Sequence, residues 1–387
     1  MNIEQEVQEI QEDLIQLRQM FHRCPEIALH EVQTTQMIAQ ELERLQIPYR
    51  LLKPTGVTGF LGKPGGRRIA LRADIDGLAV TEETGLPFSS EHSGYMHACG
   101  HDGHITALLG AARILKKYES GMDGQMCLIF QPAEENSMGA NLVMEQGCLE
   151  GVDQIFGLHI FSDIPAGYVS VESGPRMAAT DHFTITINGR SGHAAKPHQC
   201  VDATVVAASL IMNLQTIISR QIDPIEDAVL TVGKLISGTA YNVISGRAVL
   251  EGTVRTFSEK TQKKIKERII QIAKNTAALY GAEAEVDYPE SVHPPLINDE
   301  KMTASIRQKA ENVFGDRLVS IPKIMLGEDF ANYQKKIPGV FAFVGGGKDD
   351  GSINYPNHHG KFNFEDRALL DALTLHLLYV ESVFGNL

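Results

Sequence analysis

Residues 97–104 read HACGHDGH, which places a cysteine, three histidines and an aspartate in one short stretch. Three chemistries fit it: a metal site, a thiol nucleophile with its base, or a polar turn rich in histidine. Other segments narrow the choice. Asp74 and Asp76 stand in RADID, Glu134 and Glu135 in FQPAEE, His159 in GLHI, and His358 and His359 in NHHG. Thiolate, imidazole and carboxylate together are the ligand set that first-row dications such as zinc, manganese or cobalt accept. A lone histidine or cysteine is usually a satisfied core or surface residue. Cys99 with His101, Glu134 with Glu135, His159, and His358 with His359 instead recur at strand ends and loops, which points to one metal-bearing edge.

The adjacent glutamates are the most informative. Two consecutive carboxylates after the apolar run CLIF repel one another near a low-dielectric core unless cations compensate them. Read alone, the pair is a solvated turn. Beside the other segments, one carboxylate coordinates metal and the other faces substrate, where it takes a proton from water and returns it to a leaving amine. Asp76 reads either as a cap or as the partner that fixes a ligand histidine through its second ring nitrogen.

Such residues need elements to bring them together. RRIALRADID, GQMCLIFQPAEE and QIFGLHI read as buried strands that deliver polar residues at their carboxyl ends, where open α/β sheets keep their sites. GHITALLGAARILKKY reads as a helix, with Asp102 or Gly103 at its start and Lys116 and Lys117 in its last turn. From about residue 178 the texture changes, and alternating strands and two long helices follow the order β-α-β-β-α-β of a ferredoxin-like sandwich. The expected organisation is a catalytic α/β domain over residues 1–177 and 291–387, interrupted by a second domain over 178–290.

Length and composition agree. A chain of 387 residues exceeds one comfortable core, and its 43% apolar content suffices to bury an interior. The net charge of -13 argues against nucleic acid or anionic membrane as partners. Five scattered cysteines give no disulfide framework and fit a reducing cytoplasm. The N-terminal stretch is an acidic amphipathic helix rather than a signal peptide, and no apolar run is expected to approach the roughly 20 residues of a bilayer span.

RADIDGLAV, MHACGHDGHITA, FQPAEE, GLHI, GRSGHAAKPH, NVISGRAVLEGTVRTF and NHHGKFNFED occur in the order of the metal-dependent amidohydrolase and carboxypeptidase family that includes aminoacylases. Over nearly its whole length the chain resembles the branch of hippurate hydrolases, auxin-conjugate amidohydrolases and bacterial N-acyl-amino-acid deacetylases, including those for N-acetyldiaminopimelate. The resemblance implies a zinc-peptidase-like catalytic α/β domain with a mixed sheet and an inserted ferredoxin-like α+β lid and dimerisation domain. It implies two divalent metal ions per chain, zinc or manganese in the first instance and cobalt or nickel according to supply. Their ligands would be Cys99, His101, Glu135, His159 and, from the H-x-x-x-F spacing to Phe362, His358 rather than His359. Glu134 becomes the general base and acid, and His104 then belongs to the helix, behind the ligands.

By the same resemblance His193 reaches a neighbouring subunit's site to steady the oxyanion, and Asn242 and Arg255 grip the substrate. The implied reaction splits an N-acyl-L-amino acid into an amino acid and a carboxylic acid, in a homodimer or homotetramer joined through the lid. Ser245 and Gly360 stand where the family commonly has proline, a departure that bears on loop rigidity. Three rivals remain. One is a metallocarboxypeptidase or dipeptidase acting on short peptides; the second is a cysteine hydrolase using Cys99 with His101 or His104 as base. The third is a structural-metal or binding protein, for which a carboxylate such as Glu134 beside the metal would have no use.

Overall fold

The computed structural model describes residues 1–289, 293–385 and 387. The chain divides into two compact units. The first comprises Met1–Gly174, Ile297–Pro322 and Asp329–Leu387, and the second Pro175–Leu296 with Lys323–Glu328.

In chain order the first unit contributes α1 (Ile3–Glu9), α2 (Gln11–Arg23), α3 (Val32–Arg44), β1 (Tyr49–Leu51), β2 (Val57–Gly62), β3 (Arg67–Asp74) and α4 (His101–Lys117). It continues with β4 (Gly124–Gln131), α5 (Gly139–Glu145), β5 (Gln154–Pro165) and β6 (Val169–Ser170). The chain then crosses at β7 (Gly174–Met177) into β8 (Ala179–Asn188), β9 (Gly192–His193), α6 (Ala203–Gln221), β10 (Ala228–Ser237), β11 (Val243–Ile244), β12 (Arg247–Thr256), α7 (Glu259–Leu279) and β13 (Glu283–Asp287). After β14 (Leu296–Asn298) come α8 (Glu300–Phe314), α9 (Ala331–Gln334), β15 (Gly339–Gly347) and α10 (Asp366–Phe384).

The first unit is built on a seven-stranded mixed sheet in the order β1-β2-β4-β3-β5-β15-β6. The four central strands, β4, β3, β5 and β15, run parallel, while β1, β2 and β6 pair antiparallel at the margins. Central strands buried on both faces read as continuous apolar runs, as in Leu128–Phe130 and Val340–Val344. Helices α4 and α10 are buried along most of their length, so they are core elements rather than amphipathic covers.

In α4 the start differs from the expected one. The helix begins at His101 with Gly100 as its N-cap, and no side chain caps it. Asp102 is fully buried instead, because Arg18 of α2 donates to its carboxylate at 3.1 Å and His22 Nδ1 lies 2.9 Å from the same oxygen.

The second unit holds a four-stranded antiparallel sheet in the order β10-β12-β8-β13, and with α6 and α7 its chain order is β-α-β-β-α-β. Its margins differ from 178–290. Lys323–Glu328 belongs to it because Ile324 donates its N–H to the Arg176 carbonyl, the Leu326 carbonyl accepts from Ala178, and Lys323 pairs with Asp227 at 2.7 Å. The expected return at 290/291 lies outside the described residues. A second correction concerns α6, whose 19 residues are long and apolar enough to cross a membrane by length and composition, although only 33% of that stretch is buried. One face, carrying Val206, Leu210, Leu214 and Ile217, packs into the unit's core, and Val205 and Met212 are exposed on the helix surface.

The buried ion group around Asp102 makes stability depend on pH. Burial opposes a charge on His22, but Asp102 and Glu82 outweigh it and lift its pKa from 6.5 to about 9. A pKa raised by folding contributes stability that is complete below the unfolded value and disappears as pH rises through the folded one. The difference in urea midpoint between wild type and His22→Gln is therefore expected to be largest below pH 6.5 and to shrink as pH approaches 9. A difference that stays constant across that range would mean His22 is neutral in the fold.

Candidate metal centre

The carboxyl ends of the parallel strands and the loops beyond them bring five donor side chains of the first unit together. Cys99 lies in the loop before α4, His101 is that helix's first residue, and His159 lies within β5. Glu135 follows β4, and His358 comes from the loop between β15 and α10. Cys99 Sγ is 3.3 Å from both His159 Nε2 and His358 Nε2. Glu135 Oε1 is 3.3 Å from His358 Nε2 and 3.9 Å from His101 Nε2. Cys99, His101 and His159 form one group with donor atoms within 4.8 Å of one another; Cys99, Glu135 and His358 form another, and His101, Glu134 and Glu135 a third.

Donors about 2.0–2.3 Å from a tetrahedral zinc stand roughly 3.5 Å apart, so the spacing of sulfur and imidazole here is that of a coordination shell. His359, the neighbour of His358, turns elsewhere: its ring stacks on Tyr355 and its Nδ1 accepts from the Lys361 N–H.

His159 and His101 each turn one ring nitrogen away from the shared space and the other into it. His159 donates Nδ1–H to the Ile160 carbonyl at 2.8 Å, leaving Nε2 toward the sulfur. Burial, reinforced by the neighbouring His104 and His101, holds this ring neutral and its pKa well below the ordinary value. His101 directs Nδ1 at the Asp76 carbonyl at 2.9 Å, and its buried Nε2 has no hydrogen-bond partner among the described residues. An unpaired buried nitrogen is costly, and a cation beside it removes the cost. Burial disfavours charge on His101, yet Asp74, Asp76 and Glu135 together lift its pKa to about 10, a measure of the surplus negative charge at this edge. Burial and the carboxylates of Glu135, Glu134 and Asp74 push the Cys99 thiol well above its ordinary range. For Glu135, burial works upward, but His358 and His101 draw its pKa down.

The supports were less legible than the donors. For Asp76 the sequence leaves open a cap or a carboxylate that holds a ligand histidine. Its backbone carbonyl is the closer partner of His101, with Oδ1 at 3.4 Å, and the carboxylate accepts the N–H groups of Glu134 at 3.1 Å and Glu135 at 3.0 Å. Asp76 therefore clamps the glutamate turn as well as orienting the histidine. That turn needs Gly139, where a Cβ would come within 1.8 Å of the Pro132 carbonyl oxygen.

His104 Nε2 accepts from the Ile160 N–H at 2.9 Å, so its Nδ1 carries the proton and donates to Asp74 at 2.6 Å. With both nitrogens engaged, His104 is a strut between β3 and β5. The grouping of Asp74, His101 and His104 thus lacks a histidine lone pair at His104. Asp74 is held in turn by Arg72 at 2.6 Å, and Arg72 also reaches Asp329 at 2.8 Å and Gln131 at 2.9 Å. The one sequence signal of this network is a charged residue inside the apolar strand IALRAD.

Of the remaining candidates, the second unit brings two together. His193 on β9 pairs in register with Val243 of β11, and the Asn242 carbonyl accepts from Ala194. Arg255 lies at the opposite end of β12 from Arg247 and donates to Thr253 Oγ1 at 2.5 Å. Ser245 offsets the missing proline by hydrogen bonding, its hydroxyl donating to the Arg247 carbonyl and accepting from Gly238. At Gly360 a Cβ would come within 2.5 Å of the Thr81 carbonyl oxygen, closer than any side chain allows.

Comparison with known proteins follows the same lines. The family model described as peptidase family M20/M25/M40 matches residues 70–382. The N-acetyl-L-cysteine deacetylase of Bacillus subtilis (strain 168) is 42% identical over 94% of this chain and 86% of that protein. Thermostable carboxypeptidase 1 of Saccharolobus solfataricus is 35% identical over 99% and 98%. Among solved structures, the YXEP protein of Bacillus subtilis, described as a dinuclear metal binding peptidase from the M20 family, superposes with a TM-score of 0.86 at 36% identity, covering 98% of this chain and all of that one.

If the five donors hold metal, Cys99→Ala and His101→Ala are each expected to weaken binding of a divalent cation at least about 10-fold, since removing even an outer partner of a metal ligand costs that much. Titration of chelator-treated protein with cobalt checks this. Wild-type affinity in either variant would remove that residue from the ligand set.

Proposed function

Because this chain belongs to peptidase family M20/M25/M40, we propose that it hydrolyses the amide bond of N-acyl-L-amino acids at a centre of two divalent cations held by Cys99, His101, Glu135, His159 and His358. The observation that carries the reading is one clamped turn presenting two adjacent carboxylates, Glu135 beside His358 and His101, and Glu134 next to them. The 42% identity to a protein named as an N-acetyl-L-cysteine deacetylase supports the acyl-amino-acid class, and the dinuclear description of the YXEP structure supports two cations. Zinc is the first candidate, since a cysteine ligand favours it by softness; manganese follows, with cobalt or nickel by supply.

When bound, the cations supply Lewis-acid polarisation of the scissile carbonyl and lower the pKa of a water molecule. The chain's own residues do the rest. Glu134 takes the water proton on a carboxylate oxygen and delivers it to the leaving nitrogen, and Asp76 fixes the backbone from which that carboxylate springs. Asp74 and His104 keep β3 and β5 in register so that His159 stays aimed. His193 would stabilise the developing oxyanion from a neighbouring subunit, and Asn242 and Arg255 would bind the substrate's polar groups.

Two observations count against the cysteine-hydrolase rival: both ring nitrogens of His104 are engaged, by Asp74 and Ile160, and burial beside Glu135, Glu134 and Asp74 disfavours the Cys99 thiolate. All five cysteines are free, which fits a reducing compartment such as the cytoplasm.

Glu134→Gln is expected to bind metal as wild type does and to lose about 10²- to 10⁴-fold in turnover of N-acetyl amino acids. Amine release from N-acetyl and N-benzoyl amino acids and from dipeptides, with metal content measured on the same sample, checks this. Unchanged turnover would sink the proposed base. Hydrolysis of dipeptides alone would favour the carboxypeptidase-like reading, for which the Saccharolobus relative is the precedent.

A homodimer through the second unit is also part of the proposal. β10 is an edge strand carrying exposed Val229, Leu235 and Ile236, and α6 exposes Val205 and Met212. Unpaired edges with apolar side chains are templates for another copy. Light scattering is expected to give at least twice the chain mass of 42.5 kDa, and Leu235→Glu with Ile236→Lys to shift it toward monomer. A monomeric wild type would refute the proposed assembly.

A further inference from the structure

The turn that carries Glu134 and Glu135 has a third fixed point, supplied by a residue about a hundred positions earlier in the chain. Ala133 adopts a left-handed conformation with φ 57°, unusual for a residue with a side chain. Such a kink turns successive N–H groups toward a common side and makes an anion-binding concavity. Asp76 accepts the second and third of these N–H groups, from Glu134 and Glu135. The first, from Ala133, goes to Glu31 Oε1 at 2.9 Å.

Glu31 is itself unusual. It occupies the N-cap position of α3, yet its side chain makes no capping bond to that helix. Its carboxylate is fully buried, its second oxygen accepts the Thr55 hydroxyl at 2.5 Å, and among the described residues it forms no ion pair. Burial first, and then the nearby Asp76 charge, make the ionised form costly. A carboxylate placed at that cost and turned away from its own helix serves the turn it touches. Glu31 and Thr55 both precede residues 70–382.

We infer that Glu31 is a positioning residue for the hydrolytic centre: with Asp76 it completes a carboxylate clamp on three consecutive N–H groups and thereby sets where Glu134 and Glu135 project. This rests on the roles proposed above for those two glutamates. The clamp divides the load, since Asp76 also holds His101 and lies on the metal side, whereas Glu31 holds the turn where it leaves β4 after Pro132.

The test uses full-length, metal-loaded protein carrying Glu31→Asp, which keeps the charge and shortens the reach, and Glu31→Gln, which keeps an acceptor oxygen at full reach. Glu31→Asp is expected to lower kcat about 10- to 100-fold, the scale of a small misplacement of a catalytic group, with KM nearly unchanged. It is also expected to shift the visible absorption of the cobalt-substituted centre through Glu135. Glu31→Gln is expected to restore most of kcat and the wild-type spectrum.

Wild-type kcat and spectrum in Glu31→Asp, or a Glu31→Gln variant as impaired as Glu31→Asp, would overturn the inference. If Glu31→Asp fails to fold, Thr55→Val, which removes only the hydroxyl on the second oxygen, decides by the same readouts; an unchanged spectrum and kcat there would also overturn it. The cobalt spectrum needs no substrate, so a failure of Glu134 as the base is seen separately, as full turnover in Glu134→Gln.

Discussion

The structure depends on how it tolerates negative charge packed at one buried edge. Asp74 and Asp76 are fully buried, and Glu134, Glu135 and the Cys99 sulfur converge on the same space. Two like charges 4 Å apart repel by about 4 kcal/mol at an effective dielectric of 20, so the group is unstable unless each member is answered. The answers differ by position. Asp74 has Arg72 and the His104 N–H; Asp76 has the backbone N–H groups of the glutamate turn; Glu135 and Cys99 have imidazoles. Imidazole is a weak answer to a carboxylate or thiolate unless it is protonated or shares a cation with it. That is why the lifted pKa of His101 and its unpaired Nε2 belong to one description.

The sheet makes this crowding inevitable. Parallel β4, β3, β5 and β15 all point their carboxyl ends the same way, so whatever follows each strand in sequence meets at one edge. β3 delivers Asp74 and Asp76, β4 the glutamate turn and β5 His159; the loop after β15 brings His358. The second unit interrupts the chain between β5 and β15, which pair directly, so strands distant in sequence are sheet neighbours.

What the sequence disclosed follows from this arrangement. Donor residues on and after apolar strands were legible because strand, polarity and ligand chemistry coincide at Glu134–Glu135, which follow β4, and at His159, although β5 runs on past it to Pro165. The ferredoxin-like strand order was legible because period-2 and helical patterns alternate cleanly from β8 to β13. The supports were not. Arg72 sits in an apolar strand, Asp102 occupies a place that reads as a helix cap, and Glu31 belongs to a loop before α3; each has buried partners 20 or more residues away that no local pattern shows. Periodicity reports which face of an element is buried, not which buried polar group meets which. The exposed Val205 and Met212 of α6 are illegible for a related reason, since composition alone does not distinguish a helix face turned inward from one turned outward.

The different duties proposed for the adjacent glutamates impose a last constraint. Side chains of consecutive residues diverge, so one can enter a metal shell while its neighbour faces the reacting atoms only if the backbone between them is fixed in both position and rotation. A helix or a strand would fix it, but would also direct one of the two carboxylates into the hydrophobic core. The chain instead leaves β4 at Pro132, bends through the left-handed Ala133, and hands its freed N–H groups to two buried carboxylates. The donors that satisfy Glu31 and Asp76 are the N–H groups of the glutamate turn itself. Those N–H donors offset much of the cost of burying the two charges, and the two charges in turn fix the backbone that carries Glu134 and Glu135.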